Sequence, residues 1–153
     1  MERALPRTLL GSSGGFEPGG DACTTINQDP HPSEFYKGLE FFNRELYYEC
    51  HDVWEEIWGE AKGKKKIFYQ ALIMSAVSLY HFGNENLEGA LSCYRKALHQ
   101  FTLLPGRFLG LDIENFVQNL SEFYGGMSSH ETVLTKEQLR KPRPKIVLEN
   151  QFE

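Results

Sequence analysis

Apolar residues between positions 33 and 126 recur at spacings of three and four, which is the period of one face of an α-helix. Turn residues divide this pattern into five predicted helices, over about 33–45, 48–61, 65–82, 86–103 and 112–125. A weaker sixth helix is predicted over 136–140. No stretch shows a convincing alternation of apolar and polar residues, so no strand is predicted. The pattern indicates an all-α fold.

Capping residues support the predicted helix ends. Ser33 and Asp112 are suited to the N-cap positions of the first and fifth helices, because their side-chain oxygens can accept from free backbone N–H groups. Gly63 is predicted to end the second helix, with Lys62 in its last turn, where a cation complements the helix dipole. Gly83 begins the stop signal of the third helix.

The third helix determines the predicted architecture, because its apolar residues surround nearly the whole circumference. A helix of this kind is usually buried in the middle of a bundle, where apolar area is removed from water on several faces. We therefore predict two antiparallel helical hairpins plus a C-terminal helix, in a bundle of five to six helices. The apolar residues are Ile67, Phe68, Tyr69, Ala71, Leu72, Ile73, Met74, Ala76, Val77 and Leu79.

A faint internal repeat relates the two predicted hairpins at an offset of about 40 residues. Its spacing is weakly tetratricopeptide-like, with small residues where helices cross and an aromatic residue one turn later. Any two hairpins of similar length could give the same pattern, so both explanations stand. The aligned positions are Gly38, Phe41, Cys50, Trp54 and Ile57 with Ser78, His81, Ala90, Tyr94 and Ala97.

Composition sets the predicted domain boundaries. Residues 1–32 are rich in Gly, Ser and Pro and are predicted to form a flexible arm. The helical domain covers 33–126, and 127–153 is a tail that contains the short sixth helix.

Charge and cysteine content narrow the classes of partner. The net charge is −5 with both signs mixed, and no basic stripe favours nucleic acid. No apolar run reaches the length of a membrane span, so no membrane association is predicted. Three cysteines at spacings unlike those of metal ligands favour a reduced, cytoplasmic environment. A protein partner or a homo-oligomer stays open.

The segment 48–58 concentrates the candidate chemistry, with one histidine, four carboxylates and two tryptophans. On a helical wheel His51 and Glu55 lie together at one edge of a wide apolar arc. Such a pair can ligate one metal ion, or act as a general base and the group that orients it. It can equally form a hydrogen-bonded pair that only closes the edge of the core.

Gln70 and His81 form a second pair, eleven residues apart and nearly in line on the third helix. Polar groups in apolar surroundings need hydrogen-bond partners, which His51 and Glu55 could supply across the hairpin contact. The four side chains would then make a structural polar network or a small metal site. The His-Glu-x-x-His pattern of helix-borne zinc sites is absent. Three further histidines have no partners in the pattern: His31, His99 and His130.

Over about residues 35–120, the sequence resembles the domain of unknown function 309 family. The resemblance implies a small all-helical bundle. Some members are labelled predicted metal-dependent hydrolases, which implies a metal site at Glu49, His51, Glu55 and His81 in this chain. Met74 stands where a second Gln is common in the family. The matching segments are Phe42-Asn43, Tyr48–Trp58, Phe68–Ile73, Leu79–His81, Gly83-Asn84, Gly89-Ala90, Pro105 and Gly110–Asp112.

Three functions follow from these residues. The first is a metal-dependent hydrolase, with Zn, Mn or Fe held by the residues named above and activating water. The second is a non-catalytic helical binding or scaffold module. The third is a metal-free small-molecule pocket with His51 as base and Glu55 as its orienting group. The sequence specifies no substrate, because it has no phosphate loop, nucleophile elbow or dinucleotide fingerprint.

Overall fold

The structure is a computed structural model that describes residues 31–128, 130 and 133–149. Its described residues form six helices and a minimal sheet, which confirms the all-α prediction. The predicted arm lies outside the described residues except for its last two. None of the described helices is long and apolar enough to cross a membrane. The helices are α1 (Ser33–Asn43), α2 (Tyr47–Glu60), α3 (Gly63–Gly83), α4 (Leu87–Thr102), α5 (Ile113–Tyr124) and α6 (Lys136–Arg140).

The prediction that no strand forms is wrong at one place. Between α4 and α5, β1 (Arg107–Phe108) pairs antiparallel with β2 (Leu111–Asp112). The two residues that join them, Leu109 and Gly110, have φ values of 48° and 89°. Positive φ at both central residues is the geometry of a tight hairpin turn. Two-residue strands are too short to produce an alternating pattern in the sequence.

Two of the predicted caps differ in the structure. Helix α1 begins at Ser33 itself, and Pro32 occupies its N-cap position without a side-chain cap. Gly63 begins α3 instead of ending α2, and its φ of 62° lets the chain turn directly from one helix into the next. The predicted cap of the fifth helix is present, because the Asp112 carboxylate accepts from the Asn115 amide at 3.1 Å.

Helix α3 occupies the centre of the bundle, as its all-round apolar surface predicts. It packs against α2 on one side and α4 on the other, while α1 packs on α2 and α5 on α4. The two-residue and three-residue connections make successive helices antiparallel neighbours. Ser78 joins three of them, because its hydroxyl donates to the Ala90 carbonyl of α4 at 3.0 Å and contacts the Tyr124 hydroxyl of α5.

The 40-residue offset recurs in the backbone of the two hairpin turns. In each turn the middle residue has a positive φ, 65° at Glu45 and 62° at Glu85. The residue after it donates its amide to a helix carbonyl five positions earlier, at 2.9 Å in both turns. Helices that end in the left-handed conformation commonly bond in this way. The two bonds are Leu46 to Phe41 and Asn86 to His81.

Residues 141–149, called here the C-terminal strap, are extended and lie across the bundle. The strap is fixed at Asn43, whose side-chain amide donates to the Ile146 carbonyl at 2.9 Å and accepts from the Ile146 amide at 2.8 Å. Ile146 itself is buried in the core. The far end of the strap is held by the backbone amide of Glu149, which donates to the Gly110 carbonyl at 2.7 Å. Asn43, at the end of α1, thus bonds the backbone N–H and C=O of the strap as a neighbouring β-strand would.

The contact between Gly38 and Trp54 provides a first test. A Cβ atom at position 38 would overlap the Trp54 indole nitrogen, which donates to the Phe35 carbonyl at 3.0 Å. We expect Gly38→Ala to lower the free energy of unfolding by about 2–3 kcal/mol, as overpacking does. Gly83 is the matched control, because it is helical with open space around its Cβ position. Gly83→Ala should raise stability by about 0.5–1 kcal/mol. Urea unfolding measures both, and equal effects would contradict the packing argument.

The strap provides a second test. Asn43→Ala removes both hydrogen bonds to Ile146 and leaves two backbone groups without these partners. We expect a loss of about 1–3 kcal/mol in unfolding free energy, together with faster hydrogen exchange at the Ile146 amide. The exposed Asn84, in the corresponding turn, is the control, and Asn84→Ala should change neither quantity appreciably. An unchanged exchange rate at Ile146 in Asn43→Ala would show that the strap is held by other contacts.

Candidate functional site

A groove of about 450 Å³ runs along α3, between walls formed by α2 and α4. Its floor is a stripe of α3 residues at spacings of four, three and four, which places them on one helical face. The lining residues are His51, Glu55 and Trp58 from α2, Gln70, Ile73, Met74, Val77 and His81 from α3, and Cys93 and Lys96 from α4.

The four polar residues that the sequence pairs by spacing therefore line one groove. His51, Glu55, Gln70 and His81 come from two helices that are joined by a two-residue connection. Trp54 orients α2 for this, because its indole is buried against α1 and its neighbours in the helix turn toward α3. Met74 lies on the floor between Gln70 and His81 and contributes an apolar surface there.

His51 and Glu55 form a buried pair in the α2 wall. The Nε2 atom of His51 lies 3.1 Å from Oε2 of Glu55, and both residues are at most 6% exposed. The other ring nitrogen, Nδ1, lies 3.4 Å from the Tyr48 carbonyl oxygen. The predicted pairing of these two side chains one turn apart is thus present in the structure.

The hydrogen-bond partners of the His51 ring indicate which ring nitrogen carries a hydrogen and how many protons the pair holds. A carbonyl oxygen only accepts, so Nδ1 must carry a hydrogen and donate it to Tyr48. The contact between Nε2 and Oε2 then needs one further proton, on His51 or on Glu55. With that proton the pair is neutral overall, either as imidazolium and carboxylate or as imidazole and carboxylic acid. Burial favours such a neutral pair over an isolated charge.

Two buried polar atoms in the groove wall have no hydrogen-bond partner among the described residues. They are the second carboxylate oxygen of Glu55, Oε1, and the indole nitrogen of Trp58. A buried polar atom left unpaired costs about 1–3 kcal/mol, so a native protein rarely keeps two of them together. The Trp54 indole nitrogen, in contrast, has its partner in the Phe35 carbonyl. The Tyr47 hydroxyl and the Nε atom of Arg143, at a separate cleft beside the turn between α1 and α2, are unpaired in the same way, so an unpaired buried atom does not by itself mark a ligand site.

His81 lines the opposite end of the groove. Burial lowers the pKa of His81, which favours the neutral imidazole. The Asn86 side chain accepts from the Gly89 amide through its oxygen, so its amide nitrogen faces Nδ1 of His81 at 3.4 Å as a donor. Nδ1 is then an acceptor, and the imidazole hydrogen is on Nε2. His81 therefore offers a donor at its free nitrogen.

Sequence reasoning missed the contribution of α4 to the groove. Cys93 and Lys96 are three residues apart, so they lie on the face of α4 that borders the floor. Burial raises the pKa of the Cys93 thiol, which disfavours the thiolate that a nucleophile or a metal ligand needs. Lys96 is exposed and places a positive charge at the rim. No local signal in the sequence marks either residue.

The predicted metal ligands do not all line the groove. Glu49 is exposed and lies outside the groove, beside the turn between α1 and α2. In the part of the chain that the structure describes, no three His, Cys, Asp or Glu side chains come together as a metal site would require. Both ring nitrogens of His51 already have partners. The donor set therefore does not fit a metal in this arrangement, and the metal site stays a prediction.

His31, which has no partner in the sequence pattern, is a structural residue. Its ring is buried and stacks on Phe35 with the centroids 3.8 Å apart. Its two nitrogens meet the Tyr69 hydroxyl at 2.9 Å and the Leu109 carbonyl at 3.0 Å. These contacts join the start of α1 to α3 and to the β-hairpin. Only the folded arrangement brings these distant residues to His31.

A second surface groove, of about 530 Å³, lies between the start of α1 and the connection from α2 to α3. Its lining includes Glu56, Glu60, Lys62 and Lys65, whose charges are mixed. None of the unpaired buried atoms found among the described residues lies in it. The groove along α3 is the better candidate site, although it is smaller, because it gathers the His51–Glu55 pair, Gln70 and His81.

Comparison with known proteins finds a family whose members resemble the segment that carries most of the groove residues. Residues 35–93 match the family described as "Domain of unknown function (DUF309)", a span that includes every groove residue except Lys96. The uncharacterized protein YpuF of Bacillus subtilis (strain 168) is 30% identical over 107 residues, which are 63% of this chain and 59% of that protein. An uncharacterized protein of Aquifex aeolicus (strain VF5) is 29% identical over 95 residues, 61% of this chain and 28% of that protein.

The chain thus spans less than two thirds of the length of either relative. The family match lies within the segment over which the sequence alone shows its resemblance. It covers α1, α2, α3 and the first half of α4. The resemblance to the domain of unknown function 309 family is therefore confirmed over residues 35–93.

Proposed function

We propose that the groove along α3 binds a small molecule and that the His51–Glu55 pair exchanges a proton with it. The observation that carries this proposal is the buried His51–Glu55 pair, whose Nε2 and Oε2 atoms lie 3.1 Å apart, in the wall of a groove that Gln70 and His81 also line. The volume of about 450 Å³ falls within the range of small-molecule pockets.

In this proposal Glu55 is the group that meets the ligand, and His51 orients it. This exchanges the roles that the sequence predicts, because both ring nitrogens of His51 are engaged inside the protein. Oε1 is buried, so the Glu55 carboxyl turns toward the groove when, as the carboxylate, it accepts a proton from a ligand O–H, N–H or activated C–H group. The reverse step returns the proton to the ligand. Water is displaced from the groove when the ligand binds, which strengthens both interactions.

Fragment binding followed at the methionine methyl groups tests the proposal. Met74 lies in the groove, whereas Met127 lies outside it and serves as an internal control. With a library of small polar aromatic and aliphatic fragments, we expect NMR shifts of the Met74 methyl signal alone. Glu55→Gln should weaken the hits about tenfold, the loss expected for one hydrogen bond to a charged group.

Glu56→Gln is the matched control for this experiment, because Glu56 is the exposed neighbour and points away from the groove. Its fragment affinities should equal those of the unmodified protein. The proposal fails if no fragment shifts the Met74 signal, or if both variants lose affinity equally.

The metal-dependent hydrolase is the second candidate function. A histidine nitrogen and a carboxylate oxygen 3.1 Å apart in the wall of a groove favour it, since a metal could replace the proton between them. Such binding would require His51 to break its contact with Glu55, and His81 to shift its hydrogen from Nε2.

Metal analysis separates the two functions. Because the ring nitrogens of His51 are engaged, we expect less than stoichiometric Zn, Mn or Fe in protein purified without chelators. We also expect EDTA to leave the unfolding temperature unchanged, since no metal contributes to stability. Stoichiometric metal that is lost in His51→Ala but retained in His99→Ala, an exposed control on α4, would establish the hydrolase as the better proposal.

A further inference from the structure

The groove along α3 is longer than it is wide, and one of its ends is positively charged. We propose that it binds a single unbranched alkyl chain with an anionic head group, the chain lying along the floor and the head lying near Lys96. This inference rests on the proposed function, because it concerns the same groove, and it names the class of ligand.

The floor of the groove is a single row of side chains about three helical turns long. Gln70, Met74, Val77 and His81 follow one another at spacings of four, three and four, so they share one face of α3. From the first to the last of them the helix axis advances by about 16 Å. Met74 and Val77 make the middle of the row apolar, and Ile73 borders them. A linear hydrocarbon chain can contact such a row along its whole length, whereas a branched one cannot.

Contacts between α2 and α3 show which parts of the two helices lie at the same level. The Tyr48 and Tyr80 rings are 5.9 Å apart, and the Lys66 ammonium lies 4.4 Å from the centre of the Trp58 ring. Glu55 is seven residues after Tyr48 and three before Trp58, so in this antiparallel pair it lies level with about residues 69–73 of α3. This level, where the floor row begins, is called here the head end of the groove.

Lys96 of α4 also lies at the head end. The Ser78 hydroxyl donates to the Ala90 carbonyl at 3.0 Å, where the antiparallel helices α3 and α4 meet. Lys96 is six residues after Ala90, so it lies level with about residue 72 of α3. The α4 wall thus places Lys96 across the floor from Glu55, which the α2 wall carries.

The head end carries the positive charge of the groove. Lys96 is exposed at the rim, and the Lys66 ammonium lies over the Trp58 ring of the opposite wall. Helix α3 begins beyond this end, and the N-terminus of a helix carries a partial positive charge. An anionic head group is therefore attracted to this end, and a cationic one is repelled.

The carboxylates near the head end do not cancel this charge on the side of the groove. Glu55 is the one carboxylate among the lining residues, and with His51 it forms a pair that is neutral overall. Glu56 and Glu60 line the second surface groove, together with two lysines. The charge that a ligand meets in the groove along α3 is thus that of the lysines.

Straight-chain carboxylates of increasing length test the inference in the full chain. We expect their affinity, measured from NMR shifts of the Met74 methyl signal, to rise about threefold with each CH₂ from butanoate to octanoate, because each CH₂ buries apolar area on the floor. The row from Gln70 to Val77 spans about 10 Å, which a chain of about eight carbons covers, so decanoate should gain little more. Met127 lies outside the groove and is the internal control.

Two control ligands separate shape from charge. The branched 2-propylpentanoate has the charge and the carbon count of octanoate, but its longest chain is shorter, so it should bind about tenfold more weakly. Octan-1-ol has the chain of octanoate without the charge and should bind about threefold more weakly.

Variants at the head end and on the floor locate the two contacts. Lys96→Gln should remove the advantage of octanoate over octan-1-ol, whereas Arg95→Gln should preserve it, because Arg95 is the exposed neighbour that does not line the groove. Val77→Phe should remove the gain from hexanoate to octanoate and leave butanoate unaffected, since it obstructs the row only at its far part. Val147→Phe is the matched control, because Val147 is 75% exposed on the strap and lies outside the groove.

Equal affinities of octanoate and 2-propylpentanoate would overturn the linear chain, and an advantage over octan-1-ol that survives Lys96→Gln would overturn the anionic contact. Equal shifts of Met74 and Met127 would show detergent-like binding and overturn the site. If other fragments shift Met74 but no carboxylate does, the ligand class is wrong and the proposed function stands. If no compound shifts Met74, the proposed function itself fails.

Discussion

The structure depends on the need to bury a helix that is apolar on every side. No single neighbour can cover α3, so the chain surrounds it with the hairpin of α1 and α2, with α4, and with elements from the C-terminal half. Helices are cylinders, and two of them placed on either side of a third leave a strip between them. That strip is the floor of the groove. The candidate site is therefore a geometric result of how the core is enclosed.

Trp54 determines which polar residues of α2 face the groove. Its indole lies against α1 at the one position where a glycine permits the approach, and it bonds to the Phe35 carbonyl. With Trp54 fixed, the rotation of α2 about its axis is fixed too. His51, three residues before Trp54, and Glu55, one residue after it, then lie at the edge of α3. The core contact and the polar pair are thus two consequences of one helix orientation.

The sequence predicted most of the helices and the pairing of His51 with Glu55, because both depend on spacing within one element. It placed Gln70 and His81 on a common helical face for the same reason. It did not predict Lys96, Cys93 or the unpaired indole of Trp58, since these acquire meaning only when α2 and α4 flank α3. It also treated His31 as incidental, although residues 38 and 78 positions away satisfy its ring. The periodicity of a helix shows which of its faces is buried, but not which residues of other elements pack against that face.

The bond between Asn43 and Ile146 joins residues 103 positions apart in the chain. The hairpins close through neighbours only a few residues away, so they can form while the strap is still free. During synthesis the α1–α2 hairpin emerges long before the residue that completes it. Until then the Asn43 amide lacks this partner, and the core lacks the Ile146 side chain. The strap is thus a closing element that completes the helical core only after the segment that carries Ile146 has been made.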